Sequence, residues 1–228
     1  MKKNIPFSYN IIGFTVAFFL FQNLTQTIFG YDLLFSLFGK INQLIIQGQF
    51  WRLITPILLH GSILHIGFNM YALFMIGPML EKKYGFWPFI GLYLVGGLWG
   101  NTLSFLLSPN PSLGASTAIF GLIAAQGVYV YKNRYLLGQS ARPMLMNIIM
   151  VIVVNLMLGL SPGIDNWGHM GGMLGGLFFA WFAGPNFGFS EDFLGQNVVV
   201  KQKNQPVLIF ISAIMIAAIA VILRLAFV

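Results

Sequence analysis

The chain has 228 residues, 57% of them apolar and only 7% charged, where soluble domains carry about 25% charged residues. This composition, with 23 phenylalanines, excludes an ordinary soluble protein and implies a polytopic one whose solvent is the lipid bilayer. With no cysteine there is no disulfide, thiolate nucleophile or cysteine metal site, and the net charge of +7 belongs in cytoplasmic loops rather than on a nucleic-acid surface.

In chain order, hydrophobic runs predict seven spans, at about 10–29, 61–80, 86–107, 115–131, 144–160, 168–184 and 206–227, each near the roughly 17 to 25 residues that cross a bilayer as helix. The first is too polar at its far end, and too poor in a small-residue cleavage site, to read as a signal peptide; it reads as an anchor. Residues 30–60 follow as a long loop. Its run FGKINQLIIQGQFWRL is apolar but broken by Lys40, Asn42, Gln43, Gln47, Gln49 and Arg52, a pattern that suits an interfacial segment better than an eighth span. Trp51 and Arg52 read as interfacial anchors, with Arg52 positioned to hydrogen-bond loop carbonyls.

Counting basic residues in alternate loops orients the chain. With the N-terminus in the cytoplasm, nine of the twelve Lys and Arg fall inside: Lys2, Lys3, Lys82, Lys83, Lys132, Arg134, Arg142, Lys201 and Lys203. Lys40, Arg52 and Arg224 fall outside. The positive-inside bias therefore starts spans two, four and six near the outer leaflet.

Those three beginnings hold the unusual polar residues. Span two opens with His60, His65 and Asn69, span four with GASTAIFG, and span six with DNWGHMGGMLGG, which contributes His169. Polar groups at one depth in a membrane face a bundle interior or a water-filled cavity. Ser116 there is either a helix cap or a nucleophile, and as a nucleophile it needs a base, for which His169 serves. His65 and Asn69, four residues apart, share a face and can both donate toward a developing oxyanion, as can the backbone N–H of Ser116 at a helix start. Asp165 precedes His169 by four residues but reads as loop, so a Ser/His dyad without an acidic third member is the economical arrangement. His60 reads as loop or supporting structure. The glycine face Gly168, Gly171, Gly172, Gly175 and Gly176 of span six, opposite Gly114, Ala115 and Gly121 of span four, permits close helix approach. Phe120, one turn below Ser116, can pack on the imidazole and fix its plane.

Together these motifs resemble the rhomboid intramembrane serine proteases. The likeness rests on G-x-S with a further glycine five residues on (Gly114, Ser116, Gly121), H-x-x-x-N (His65, Asn69), H-x-x-G-x-x-x-G (His169, Gly172, Gly176), and the Trp51-Arg52 pair, over roughly residues 8–184. The resemblance implies an all-α membrane bundle of six core helices plus a seventh after residue 205. It implies Ser116 as nucleophile, His169 as base, His65 and Asn69 as oxyanion contributors, and as partner a transmembrane protein substrate cut near its outer end. Lateral substrate entry between spans two and five is likewise implied, span five with Pro143 at its start being the moving wall. The family's usual glycine after the serine is Thr117 here, which would narrow the substrate side-chain pocket.

Two other function classes compete. An inactive rhomboid-like factor would bind membrane segments without cutting them, and a metal enzyme would use His60, His65 and His169 as zinc ligands, although H-E-x-x-H is absent. No cofactor or metal is expected under the protease reading. The domain layout is then 1–184 as the membrane domain, 185–205 as a polar cytoplasmic linker, and 206–228 as the extra helix. A short basic start without an arginine-rich transit peptide points to a bacterial-type plasma membrane.

Overall fold

The computed structural model describes residues 5–191, 197–201 and 205–226. Ten α-helices lie among these residues: α1 Phe7–Phe29, α2 Leu33–Phe38, α3 Asn42–Ile46, α4 Ile63–Tyr84, α5 Phe86–Leu107, α6 Ser116–Lys132, α7 Arg134–Leu137, α8 Ala141–Leu158, α9 Asn166–Ala183 and α10 Pro206–Ala226. Seven of them correspond to the predicted spans, and the result is a helical membrane bundle. By length and apolarity five segments among the described residues qualify as spans: α1, α4, α5, Arg134–Leu158 and α10. The other two, α6 and α9, have 17 and 18 residues and are rich in glycine and polar groups. They pack on each other and on α5, so much of their surface meets protein rather than lipid and can dispense with strongly apolar side chains.

The first loop forms α2, α3 and two 3-10 turns, Phe50–Leu53 and Thr55–Leu58, none long enough to cross a bilayer. Arg52 ties it together: its guanidinium donates to the carbonyls of Gly39 (2.7 Å) and Ser36 (2.6 Å) and to Gln49 Oε1 (2.8 Å). Trp51 Nε1 donates to the Leu37 carbonyl while half its surface stays exposed. Lys40 is wholly buried, with Nζ donating to the carbonyls of Asn110 (2.8 Å) and Ser108 (3.2 Å). Burial pushes the Lys40 ammonium down to about 8, with Asp165 pulling the other way. A two-way backbone bridge between Lys40 and Ser112 fastens the loop to the segment leading into α6.

Glu81, near the end of α4, accepts from the backbone N–H groups of Phe7 and Ser8 at 2.8 and 2.9 Å. It thereby caps the open start of α1 from a neighbouring helix, where a carboxylate also meets the positive end of the macrodipole. At the far end of the chain, α10 packs on α5 and α9 through Ala213, Ala217 and Val221, and Trp99 Nε1 donates to the Ala213 carbonyl at 3.0 Å. Val221 also joins Ile45, Leu53 and Phe105 in a small apolar cluster beneath the first loop.

The stretch expected as a plain linker contains an antiparallel hairpin, β1 Phe187–Glu191 with β2 Asn197–Lys201. Its valine run favours extended backbone. Asn133, at the end of α6, anchors the hairpin: Nδ2 donates to the Pro185 carbonyl and Oδ1 accepts from Phe187 N. Residues 192–196 and 202–204 lie outside the described residues.

Candidate active site

The site begins with the turn into α6. Gly114 sits at φ +131°, a conformation that L side chains rarely adopt. A Cβ added there would lie 2.7 Å from both Nε2 and Cε1 of His65 and 3.7 Å from Ser116 Oγ. The glycine therefore leaves open the space between the histidine ring and the hydroxyl. Ser116 is the first residue of α6, so its N–H lies in the turn that lacks intrahelical acceptors. Its hydroxyl, partly exposed, lies 2.9 Å from His169 Nε2.

His169 reaches that point because α6 and α9 nearly touch. A Cβ on Gly172 would stand 2.0 Å from the Thr117 carbonyl oxygen, and one on Gly176 would stand 2.2 Å from that of Gly121. The helices could not approach so far with any side chain there. Phe120 stacks on the imidazole with centroids 4.3 Å apart and planes 13° from parallel. Asp165 does not bond the ring. It caps α9, with one oxygen accepting from Gly168 N at 2.9 Å and the other from Ser104 Oγ. The serine–histidine pair thus has an aromatic plate, and no carboxylate, fixing its plane.

His65 and Asn69 share the face of α4 toward this site, but their donors divide. Asn69 Nδ2 gives one hydrogen to the His65 carbonyl of its own helix at 2.9 Å, and the amide carries a second. His65 Nδ1 accepts from Gly61 N at 3.5 Å. That long contact is compatible with the tautomer that carries its proton on Nε2, the nitrogen beside Gly114.

Thr117 corrects an expectation. Its side chain turns away from the site and packs on bare helix faces: a Cβ on Gly100 would meet Thr117 Cβ at 2.5 Å, and one on Gly168 would meet its Cγ2 at 3.1 Å. It consequently does not narrow a substrate pocket, and no non-glycine residue among those described has positive φ. The three histidines do not converge as ligands either. His60 and His65 meet edge to face at 5.0 Å, His169 is engaged by Ser116, and among the described residues no three His, Asp or Glu side chains are grouped to hold a metal.

His60 has a more specific place than the sequence indicated. It is buried, and its Nε2 accepts a long 3.4 Å hydrogen bond from Ala115 N, the residue before Ser116. Burial, and next the neighbouring His65, lowers its pKa to about 3 against a small upward pull from the Leu58 carbonyl. The ring is therefore neutral near pH 7 and its lone pair is free to accept.

The Rhomboid domain family model matches residues 47–186, more than half of the chain. The chain belongs to the rhomboid family. It is similar to rhomboid protease GluP of Bacillus subtilis, 39% identical over 175 residues that cover 76% of this chain and 34% of that protein. RHOMBOID-like protein 5 of Arabidopsis thaliana is 38% identical over 152 residues, 64% of this chain and 49% of the relative. The mitochondrial RHOMBOID-like protein 6 of the same plant is 33% identical over 183 residues, 76% and 59% of the two chains. The alignments thus span between about a third and three-fifths of these relatives. Rhomboids are generally intramembrane serine proteases, and this one is an integral multi-pass membrane protein.

Proposed function

We propose that this rhomboid is an intramembrane serine endopeptidase that cuts transmembrane segments of other proteins, with Ser116 as nucleophile and His169 as base. The observation that carries this reading is the 2.9 Å separation of Ser116 Oγ from His169 Nε2, within hydrogen-bond reach of a nucleophile and its base. As Oγ adds to the scissile carbonyl carbon, its proton passes to Nε2. The oxyanion so formed meets Nε2–H of His65, the free amide hydrogen of Asn69 and the Ser116 N–H. His169 then gives the proton to the leaving nitrogen, the C–N bond breaks, and an acyl-enzyme remains. Water, deprotonated by the same imidazole, hydrolyses that ester.

Substrate access is inferred from the family likeness and the predicted orientation. Ser116 lies at the end of α6 predicted to be outermost, so the cut falls near the outer end of the substrate helix, with the chain's N-terminus cytoplasmic. A substrate entering laterally between α4 and α8 must unwind locally, because a helical peptide bond is already hydrogen-bonded and sterically covered.

The test is cleavage of a model single-span substrate in proteoliposomes, with the cut bond mapped by mass spectrometry. Wild type should cleave in the outer part of the span and react with a fluorophosphonate. Ser116→Ala and His169→Ala should lose at least about a thousandfold in kcat/KM. Cleavage surviving in Ser116→Ala removes the mechanism, and a cut in the inner part of the span overturns the assigned orientation.

A further inference from the structure

Gln22 lies in the polar final third of α1, and it is buried with both ends of its amide engaged. Its Nε2 donates to Asp32 Oδ2 at 2.7 Å, and its Oε1 accepts from His60 N at 3.2 Å. Asp32 is itself fixed, its other oxygen accepting from Phe35 N at 2.9 Å as the cap of α2. His60 continues the path through Nε2 to Ala115 N. One residue earlier, Gly114 N donates to the Pro56 carbonyl at 2.9 Å. The two amides before Ser116 are thus both held by the first loop, and the loop is held by α1.

We propose that Gln22 and Asp32, both outside the matched rhomboid domain, are positioning residues for Ser116, acting through His60 on the Ala115 N–H. This rests on the protease reading above. The physical reason is that the N–H groups of Gly114 and Ala115 precede the first helical turn and have no intrahelical acceptors, although the Ala115 carbonyl accepts from Ile119 N at 3.0 Å. Their placement depends on external acceptors, and a small displacement of the nucleophile costs rate steeply. Membrane burial strengthens the case for Gln22, since an amide in an apolar span is costly unless fully partnered.

The experiment uses the full chain in proteoliposomes and reads three quantities: kcat and KM for the model substrate, and amide hydrogen exchange resolved to Ala115. Gln22→Leu removes both bonds at nearly unchanged volume. It should lower kcat by about tenfold with KM within about twofold, and speed exchange at Ala115 by at least about tenfold. Gln22→Glu alone sets two carboxylates together and should behave similarly. The double variant Gln22→Glu, Asp32→Asn reverses donor and acceptor: the amide introduced at position 32 donates to the carboxylate introduced at position 22, whose other oxygen still accepts from His60 N. It should bring back most of the lost kcat and the protection, a coupling that independent sites would not show.

Unchanged exchange at Ala115 in Gln22→Leu overturns the proposal, as does wild-type kcat in that variant or failure of the double variant to recover either readout. Cleavage surviving in Ser116→Ala would instead bring down the protease reading while leaving the exchange result standing, so the two failures are told apart.

Discussion

At the residue scale, two side chains without covalent chemistry adjoin the Ser116–His169 pair, Phe120 stacked on His169 and His60 bonded to Ala115 N. Phe120 holds the imidazole plane by stacking at 4.3 Å, so Phe120→Leu keeps most of the volume and loses the flat plate. Its stability should fall by less than about 1.5 kcal/mol, while kcat falls several-fold at unchanged KM; thermal melts beside steady-state kinetics check both. His60 supplies a pH signature. Its folded-state pKa of about 3 lies below the ordinary 6.5, so as pH falls from 6.5 toward 3 the unfolded chain takes up a proton that the folded one refuses. Stability is complete above pH 6.5 and is lost on acidification, by up to about 1.4 kcal/mol per pH unit. His60→Gln, whose amide oxygen can still accept from Ala115 N, should flatten that slope in a pH series of melts, against the contribution of the adjoining His65. An unchanged slope would rule out His60 as its source.

At the element scale, α6 and α9 form the frame on which the pair depends. Gly172→Ala places a carbon where the Thr117 carbonyl oxygen already stands, at 2.0 Å, so the helices must separate. Overpacking of this kind costs about 1–3 kcal/mol. It should also stretch the Ser116–His169 contact, and fluorophosphonate labelling should slow by at least about tenfold in protein that is still folded at assay temperature; normal labelling would show that the contact tolerates the separation. This contact was legible in the sequence, because a glycine recurring every fourth residue beside a histidine has few other uses in a membrane helix. The bonds of His60 and Gln22 were less legible. One histidine before a helix and one glutamine among the polar residues at the end of α1 carry no periodic signature, and the bonds His60 N to Gln22 and Ala115 N to His60 join positions 38 and 55 residues apart. Gln22 sits in the polar far end of its span beside Asn23 and Gln26, so nothing in the sequence singles it out from its neighbours. The turning away of Thr117 depended on Gly100, whose bare face a single sequence does not connect with residue 117.

At the scale of the whole molecule, the seven long helices and their order followed from hydropathy and their boundaries moved by only a few residues, whereas the short α2, α3 and α7 did not follow from it. Span five was expected from 144 and begins at Ala141, with Pro143 in the first turn, where its missing N–H costs no hydrogen bond. The hairpin after α9 was not read from the sequence, because its two strands are only five residues each and its tie to Asn133 crosses the sequence from α6. Local pattern reports elements well; contacts that join distant elements appear only once the helices are assembled.

The helices are also unequally attached. Among its own residues α8 buries only Ala141 and Ile148, and at its C-terminal end Asn166 Nδ2 donates to the Leu156 carbonyl at 3.1 Å. Ser116 and His169 ride instead on two tightly joined neighbours. Hydrocarbon thickness can consequently tilt the loosely hung helix while the reacting atoms keep their spacing. Reconstitution in phosphatidylcholines of graded acyl length should vary substrate turnover and leave fluorophosphonate labelling level; labelling that tracks acyl length would show the two are not mechanically separate.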